Sequence, residues 1–179
     1  MGRQRTAAED QAGAVSMHPQ FTLDLSLEAI RLLYDLHGEP CVIGDVAVFG
    51  DDLPLRMTKL LSLAAKLSTP PIPTTTVVPR EHVLYRTVRL DMAREVEERD
   101  VLDFVCRELQ LNKDEICVDW VIDGSEIHIA AVEKLTLLEA NDFAQKHGFV
   151  PTLFTSSVRN GKFPRKPRFP VPIPQNGPV

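Results

Sequence analysis

The strongest constraint on this chain lies between Phe21 and Phe49. Three runs of strand character, FTLDLS, AIRLLYD and CVIGDVAVF, follow one another, separated only by a Ser-Leu-Glu turn and by His37-Gly38-Glu39-Pro40. Connections this short join antiparallel neighbours, because a parallel crossover needs a dozen or more residues. The chain therefore opens as a three-stranded antiparallel meander. Asp51 and Asp52 then precede LPLRMTKLLSLAAKL. Leu53, Met57, Leu60, Leu61 and Ala64 recur there at three- and four-residue steps, which predicts an acid-capped amphipathic helix covering one sheet face.

STPPIPTTT is a proline-rich break, and TVVP after it is a β-branched strand stopped by Pro79. HVLYRTVRL reads as a longer strand. Met92 to Leu111 reads as a helix with an apolar stripe of Val96, Val101, Leu102, Val105 and Leu109, and MAREVEERD is its solvated face. ICVDWVI and EIHIAAV are joined by Asp123-Gly124-Ser125, a hairpin signal. Glu133 to His147 reads as a further helix, with Leu135, Leu138, Ala140, Phe143 and Ala144 on its buried side and Gly148 as its stop. PTLFTSSV is the last strand.

The order strand, helix, strand, strand, helix over residues 81–147 describes a small β-α-β-β-α domain. It is bracketed by strands that look like neighbours in the first sheet, so it is inserted into a larger unit made of residues 21–80 and 148–158. Residues 1–20 are polar, lack periodicity and read as a disordered leader. Residues 159–179 hold six prolines in a basic, core-less stretch that reads as an extended tail outside the fold.

The chain resembles the N-terminal half of the actin-like proteins of type IV pilus assembly (the M protein) and type II secretion (the cytoplasmic domain of the L protein). LDLSLEAIRLL, the VVPREHVLYRTVRL junction, VDWVIDGSEIHIAAVEK and the helix ending AQKHGFVP carry the resemblance, over residues 21–158. It implies an α+β fold: a truncated actin-like (ribonuclease-H-like) meander subdomain carrying a ferredoxin-like, SHS2-type insert. In the ATP-binding members an Asp-x-Gly turn followed by Ile-Lys grips phosphate. Here Asp24 takes the Asp position and Ala29-Ile30-Arg31 the Ile-Lys end, but Ser26 replaces the glycine that lets backbone approach phosphate. Leu27 and Glu28 set bulk and negative charge where the anion arrives. The family's second phosphate loop and adenine glycines lie beyond the matching region, where this sequence runs into its proline-rich tail.

No GxSxG, HExxH or GxxxxGK[ST] motif occurs. His128 reads as a hydrogen-bonded strand histidine, Asp119 as a strand-surface acid, Asp123 as a turn former and Trp120 as a core anchor of the insert. Cys41, Cys106 and Cys117 fit free buried thiols of a reducing compartment, and the eleven-residue gaps from Cys106 to Cys117 to His128 match no zinc pattern. A net charge of -5 gives no reason to expect nucleic acid, and no run approaches a membrane span or signal-peptide core.

The function this predicts is a non-enzymatic cytoplasmic scaffold, without metal or cofactor, that binds a protein partner in a pilus or secretion platform. A homodimer through a sheet edge is open to it. One alternative is a nucleotide-binding actin-like fragment that needs a partner chain. Another is a peptide-docking module acting through its tail, with Phe163 and Phe169 as anchors and Arg165, Lys166 and Arg168 as cations.

Overall fold

The computed structural model describes residues 20–89, 96–158 and 163–173. The meander forms as predicted from β1 (Phe21–Leu25), β2 (Ala29–Leu36) and β3 (Glu39–Ala47), each antiparallel to the next. Between β2 and β3, His37 (φ 59°) and Gly38 (φ 90°) hold the two positive-φ positions of a tight hairpin turn. Helix α1 (Leu53–Ala64) buries Met57, Leu60 and Ala64 against this sheet. Asp52 stands at its N-cap but makes no side-chain cap; its carboxylate pairs with Arg56, which also donates to the carbonyls of Ala47 (2.9 Å) and Phe49 (2.7 Å).

Strand β4 (Ile72–Val78) begins inside the stretch read as a break, because Pro73 precedes the pairing with β1, which starts at Thr74; Ile72, Thr74, Thr76 and Val78 point inward. It runs parallel to β1, and β8 (Phe149–Ser156) runs parallel to β4, which gives a five-stranded sheet in the order β3-β2-β1-β4-β8. Between β4 and β8 the chain forms β5 (Val83–Arg89), α2 (Glu98–Leu109), β6 (Ile116–Asp123), β7 (Glu126–Glu133) and α3 (Lys134–Lys146). The second sheet has the order β5-β7-β6, all antiparallel. This is the α+β, actin-like architecture implied by the resemblance.

Helix α2 starts at Glu98, capped by a reciprocal Glu97–Asp100 box. The expected helical turn from Met92 falls partly on residues 90–95, outside the described residues. Helix α3 turns Leu137, Ala140, Asn141 and Ala144 inward, whereas Leu135 is 60% exposed. Ala140 and Ala144 are buried as predicted, but Leu137 is buried in place of Leu135, because α3 packs on β8 as well as on β7.

Three apolar clusters result. One lies between α1 and the five-stranded sheet, around Phe21, Leu23, Leu32, Met57 and Phe149. Another lies between α2 and the small sheet, where Val101 and Val105 meet Ile127 and Ile129. The third joins the two sheets: Val78 and Phe154 from the larger, Val121, Ala130 and Val132 from the smaller, and Leu137 from α3. Phe163 and Phe169 complete it. Thus β7 is buried on both faces, and part of that cover comes from the proline-rich segment.

Candidate functional site

Because β1, β4 and β8 are parallel, their carboxyl ends at Leu25, Val78 and Ser156 fall together. The rim of a mixed or parallel sheet at such ends is where ligands bind in open α/β folds, since loops diverge there and leave a crevice. A cleft of about 300 Å³ occupies this rim, bounded by Asp24, Ser26, Glu28, Arg80, Glu81 and Ser157.

The β1–β2 turn closes on itself. The Ser26 amide donates to the Ala29 carbonyl at 3.2 Å, the Ser26 hydroxyl donates to the same carbonyl, and the Ala29 amide donates to Ser26 Oγ at 3.1 Å. A phosphate grip needs amides that point at an anion unengaged. Here the serine oxygen takes the Ala29 amide. Asp24 stands opposite Arg31 in the strand register, and Arg31 in turn stands opposite Asp45. Burial pushes the Asp24 carboxyl up from its ordinary value, and the charges of Arg31 and Lys166 partly counter this. Ile30 points into the core and Arg31 outward, the alternation expected of an Ile-basic pair on a strand.

The cleft lining carries three carboxylates, Asp24, Glu28 and Glu81, against one cation, Arg80, whose Nε lies 2.9 Å from Glu81. A unit negative charge 4 Å from a phosphate is repelled by about 4 kcal/mol at the effective dielectric of a protein surface. Unless a divalent cation bridges them, these residues repel a nucleotide phosphate.

The larger departure from expectation is the tail. Phe163 is 4% exposed and Phe169 0%, and both lie in the chain's own third cluster. Residues 163–173 form a strap. Phe169 pairs with Phe154 on the outer edge of β8, amide to carbonyl at 2.8 and 3.0 Å. The Phe163 ring lies 6.3 Å from that of Tyr85, whose hydroxyl donates to the Ser157 carbonyl at 3.2 Å. Arg165 donates to both Asp119 oxygens, at 2.6 and 2.9 Å, and stacks over Phe163 at 5.7 Å. The Arg168 amide donates to Asp119 Oδ2 at 2.8 Å.

The reading of Phe163 and Phe169 as anchors for another protein, on a segment outside the fold, is therefore corrected. β8 is an edge strand with unpaired backbone groups, and an extended proline-rich chain satisfies those of Phe154 without needing a helix or a full strand. Asp119, read as a surface acid, is the strap's receptor. Alternation did place it on the same side of β6 as Val121, but no local pattern shows that a segment some 46 residues later lands there. The Lys166 and Arg168 side chains are exposed.

His128 is buried, with Nδ1 at 3.0 Å from Thr87 Oγ1, a paired strand histidine. Cys41 is exposed on β3, contrary to the buried thiol expected, because β3 is the open edge of its sheet. Burial pushes the Cys117 thiol up, which disfavours its thiolate. A roomier hollow, about 730 Å³, runs along α2 past Asp100, Asp103 and Arg107. Lys113 lies 2.6 Å from Asp103 and holds its carboxyl below the usual range, as on a solvated charged face.

Fold and cleft together define a class: an actin-like α+β fold whose β1–β2 turn is closed on itself. Two solved structures are similar to it. One is the cytoplasmic domain of EpsL, an inner membrane component of the type II secretion system of Vibrio cholerae, at 15% identity and a TM-score of 0.51, covering 75% of this chain and 55% of that one. The other is the PilM–PilN type IV pilus biogenesis complex, at 14% identity and a TM-score of 0.50, covering 76% of this chain and 46% of that one. The chain thus spans about half the length of the structures it matches, and at these identities the likeness is one of fold. Neither a family model nor a curated protein sequence matches it. Among the described residues no helix is long and apolar enough to cross a membrane.

Proposed function

We propose that this chain is a non-catalytic cytoplasmic scaffold of a bacterial envelope assembly of the pilus or type II secretion kind, binding a protein partner rather than a nucleotide. The observation that carries this reading is the β1–β2 turn. Ser26 takes the Ala29 amide with its own hydroxyl, and the cleft in front of it is lined by Asp24, Glu28 and Glu81. Such a site repels a nucleotide phosphate that no divalent cation bridges, while the fold's sheet edges and helix faces keep their capacity to bind protein. The likeness to the EpsL and PilM–PilN structures supports the setting. A complex with another protein is what the second of these is, and for this chain it is an inference.

Isothermal titration with Mg-ATP tests the reading. The expected result is no heat of binding. Micromolar binding that Asp24→Ala abolishes would overturn it and favour an ATPase fragment completed by a second chain.

A further inference from the structure

Helix α3 carries a second apolar stripe that the chain leaves open. Leu137, Ala140 and Ala144 face the core, whereas Leu135 is 60% exposed and Leu138 half-buried. Three residues apart, these two leucines share one face of the helix. Leu111, in the loop after α2, is half-buried beside them, and the three floor a hollow of about 430 Å³. Its rim is acidic. Asp114, Glu115 and Glu133 line it, all exposed. Glu139 and Asp142, each one turn beyond Leu135 and Leu138, continue the same face and are exposed as well. Glu115 accepts the Asn112 amide and side chain at 2.7 and 2.8 Å, neutral donors that leave its charge uncancelled. The lining's cation, Lys134, is half-buried and close enough to Cys117 to act on its thiol. An apolar floor inside a polar rim of one sign marks a contact surface rather than a merely solvated helix face.

We propose that this face binds a basic amphipathic helix of a protein partner, which lays its apolar stripe over Leu135 and Leu138 while its Lys and Arg side chains meet the acidic rim. Charge decides among the occupants. Anionic lipid would set phosphate against carboxylate, and a second copy docked face to face would oppose the same acids to themselves. A cationic segment is attracted instead, and its apolar side chains take Leu135 out of water. The inference rests on the scaffold reading, whose partner-binding face it names, but it uses none of the residues that line the Asp24 cleft.

The test is a titration of the isotope-labelled full chain followed by amide chemical shifts, with a synthetic Leu/Lys amphipathic helix as probe and its Leu/Glu counterpart as control. The Leu/Lys peptide should shift the amides of Leu111, Asp114, Leu135 and Leu138, and the Leu/Glu peptide should not. Added salt should weaken the binding, since exposed charges are screened. Leu135→Ser should weaken it about tenfold or more and leave the melting temperature unchanged, because the side chain is exposed in the free protein. Should that variant fold poorly, Glu139→Lys combined with Asp142→Lys, both exposed on α3, should weaken it as much. Absence of binding, shifts centred on another acidic surface such as that of α2, or equal binding by the Leu135→Ser chain overturns the proposal. So does an equal response to anionic vesicles, or to concentrating the chain alone, since lipid or a second copy would then be the occupant. Mg-ATP added to the same labelled chain separates this outcome from the scaffold reading. Shifts at Ser26 and Arg80 would sink that reading whatever the peptide does, whereas a silent Mg-ATP titration without peptide binding overturns this inference alone.

Discussion

Asp24 is a carboxylate held where water reaches it poorly. Burial raises its pKa in the folded chain, and the attraction of Arg31 and Lys166 recovers only part of the loss. The sign follows from linkage: with the folded pKa above the unfolded one, the native state holds the proton longer, so stability falls as pH rises through that window. Asp24→Asn should therefore raise the melting temperature at pH 7, and the gain should vanish as the pH drops below the ordinary aspartate value of 3.8. A melting series across pH checks this, and a loss at pH 7 would mean that the two cations outweigh burial. Asp119 is the opposite case, a carboxylate satisfied three times. Asp119→Asn should cost about 2 kcal/mol in urea unfolding, since hydrogen bonds to charged groups contribute about 1.5–3 kcal/mol. The difference between these acids bears on what sequence can show. Ser26 showed in the sequence that the turn lacks its glycine, but not that its hydroxyl takes the Ala29 amide, since that depends on the turn's geometry. The partner of Asp119 is a distant segment, and residue type alone could only make it a surface acid.

Elements built from local signals were legible, and those fixed by distant packing were not. The meander and the β6–β7 hairpin follow from turn chemistry. In the latter, Gly124 takes φ 58° at the first position of a two-residue loop, where glycine fits. The face of α3 followed only in part: Ala140 and Ala144 are buried as predicted, but Leu137 takes the place of Leu135, because a helix flanked by two sheets buries a stripe set by both. Leu137 is fully buried and Leu135 largely exposed. Leu137→Ala should cost about 2–5 kcal/mol as a cavity in the core. Leu135→Ala should stay within about 0.5 kcal/mol. Denaturant midpoints of the two variants separate the predicted face from the observed one. Gly148, which ends α3, is held at φ 83°, and a Cβ there would lie 2.7 Å from the Leu61 side chain of α1. The flexible leucine can give way, so the expected loss for Gly148→Ala is that of left-handed backbone, about 1–2 kcal/mol. The start of β4 was hidden because prolines argue against strands, yet Pro73 lies one residue before the pairing with β1 begins at Thr74, so no ladder bond is lost at its missing amide.

The molecule as a whole joins two sheets through one apolar cluster, and the strap is part of that cluster rather than an appendage to it. With the strap in place, Val121, Ala130 and Val132 are covered on the side of the small sheet away from α2, and the edge of β8 is paired at Phe154. A solvated tail would leave the melting temperature unchanged on deletion of residues 159–179. The observed packing requires the reverse. Burying two phenylalanines contributes about 1.5–3 kcal/mol each, and the bidentate pair adds to this. Prolines at 164, 167, 170 and 172, with their preset φ, reduce the freedom the strap loses on seating. Removing the strap should cost about 2–3 kcal/mol, equivalent to a fall of about 4–12 °C for a chain of this size. Thermal denaturation of the deletion variant measures it. The same deletion should also increase aggregation on heating, because it leaves Phe154 and the backbone of β8 without their cover. Substituting Phe169→Ala in the full chain should reproduce most of this fall but not exceed it, since a strap that has lost its anchor can simply leave the groove, and the cost of any strap substitution is capped by the free energy of seating the strap itself.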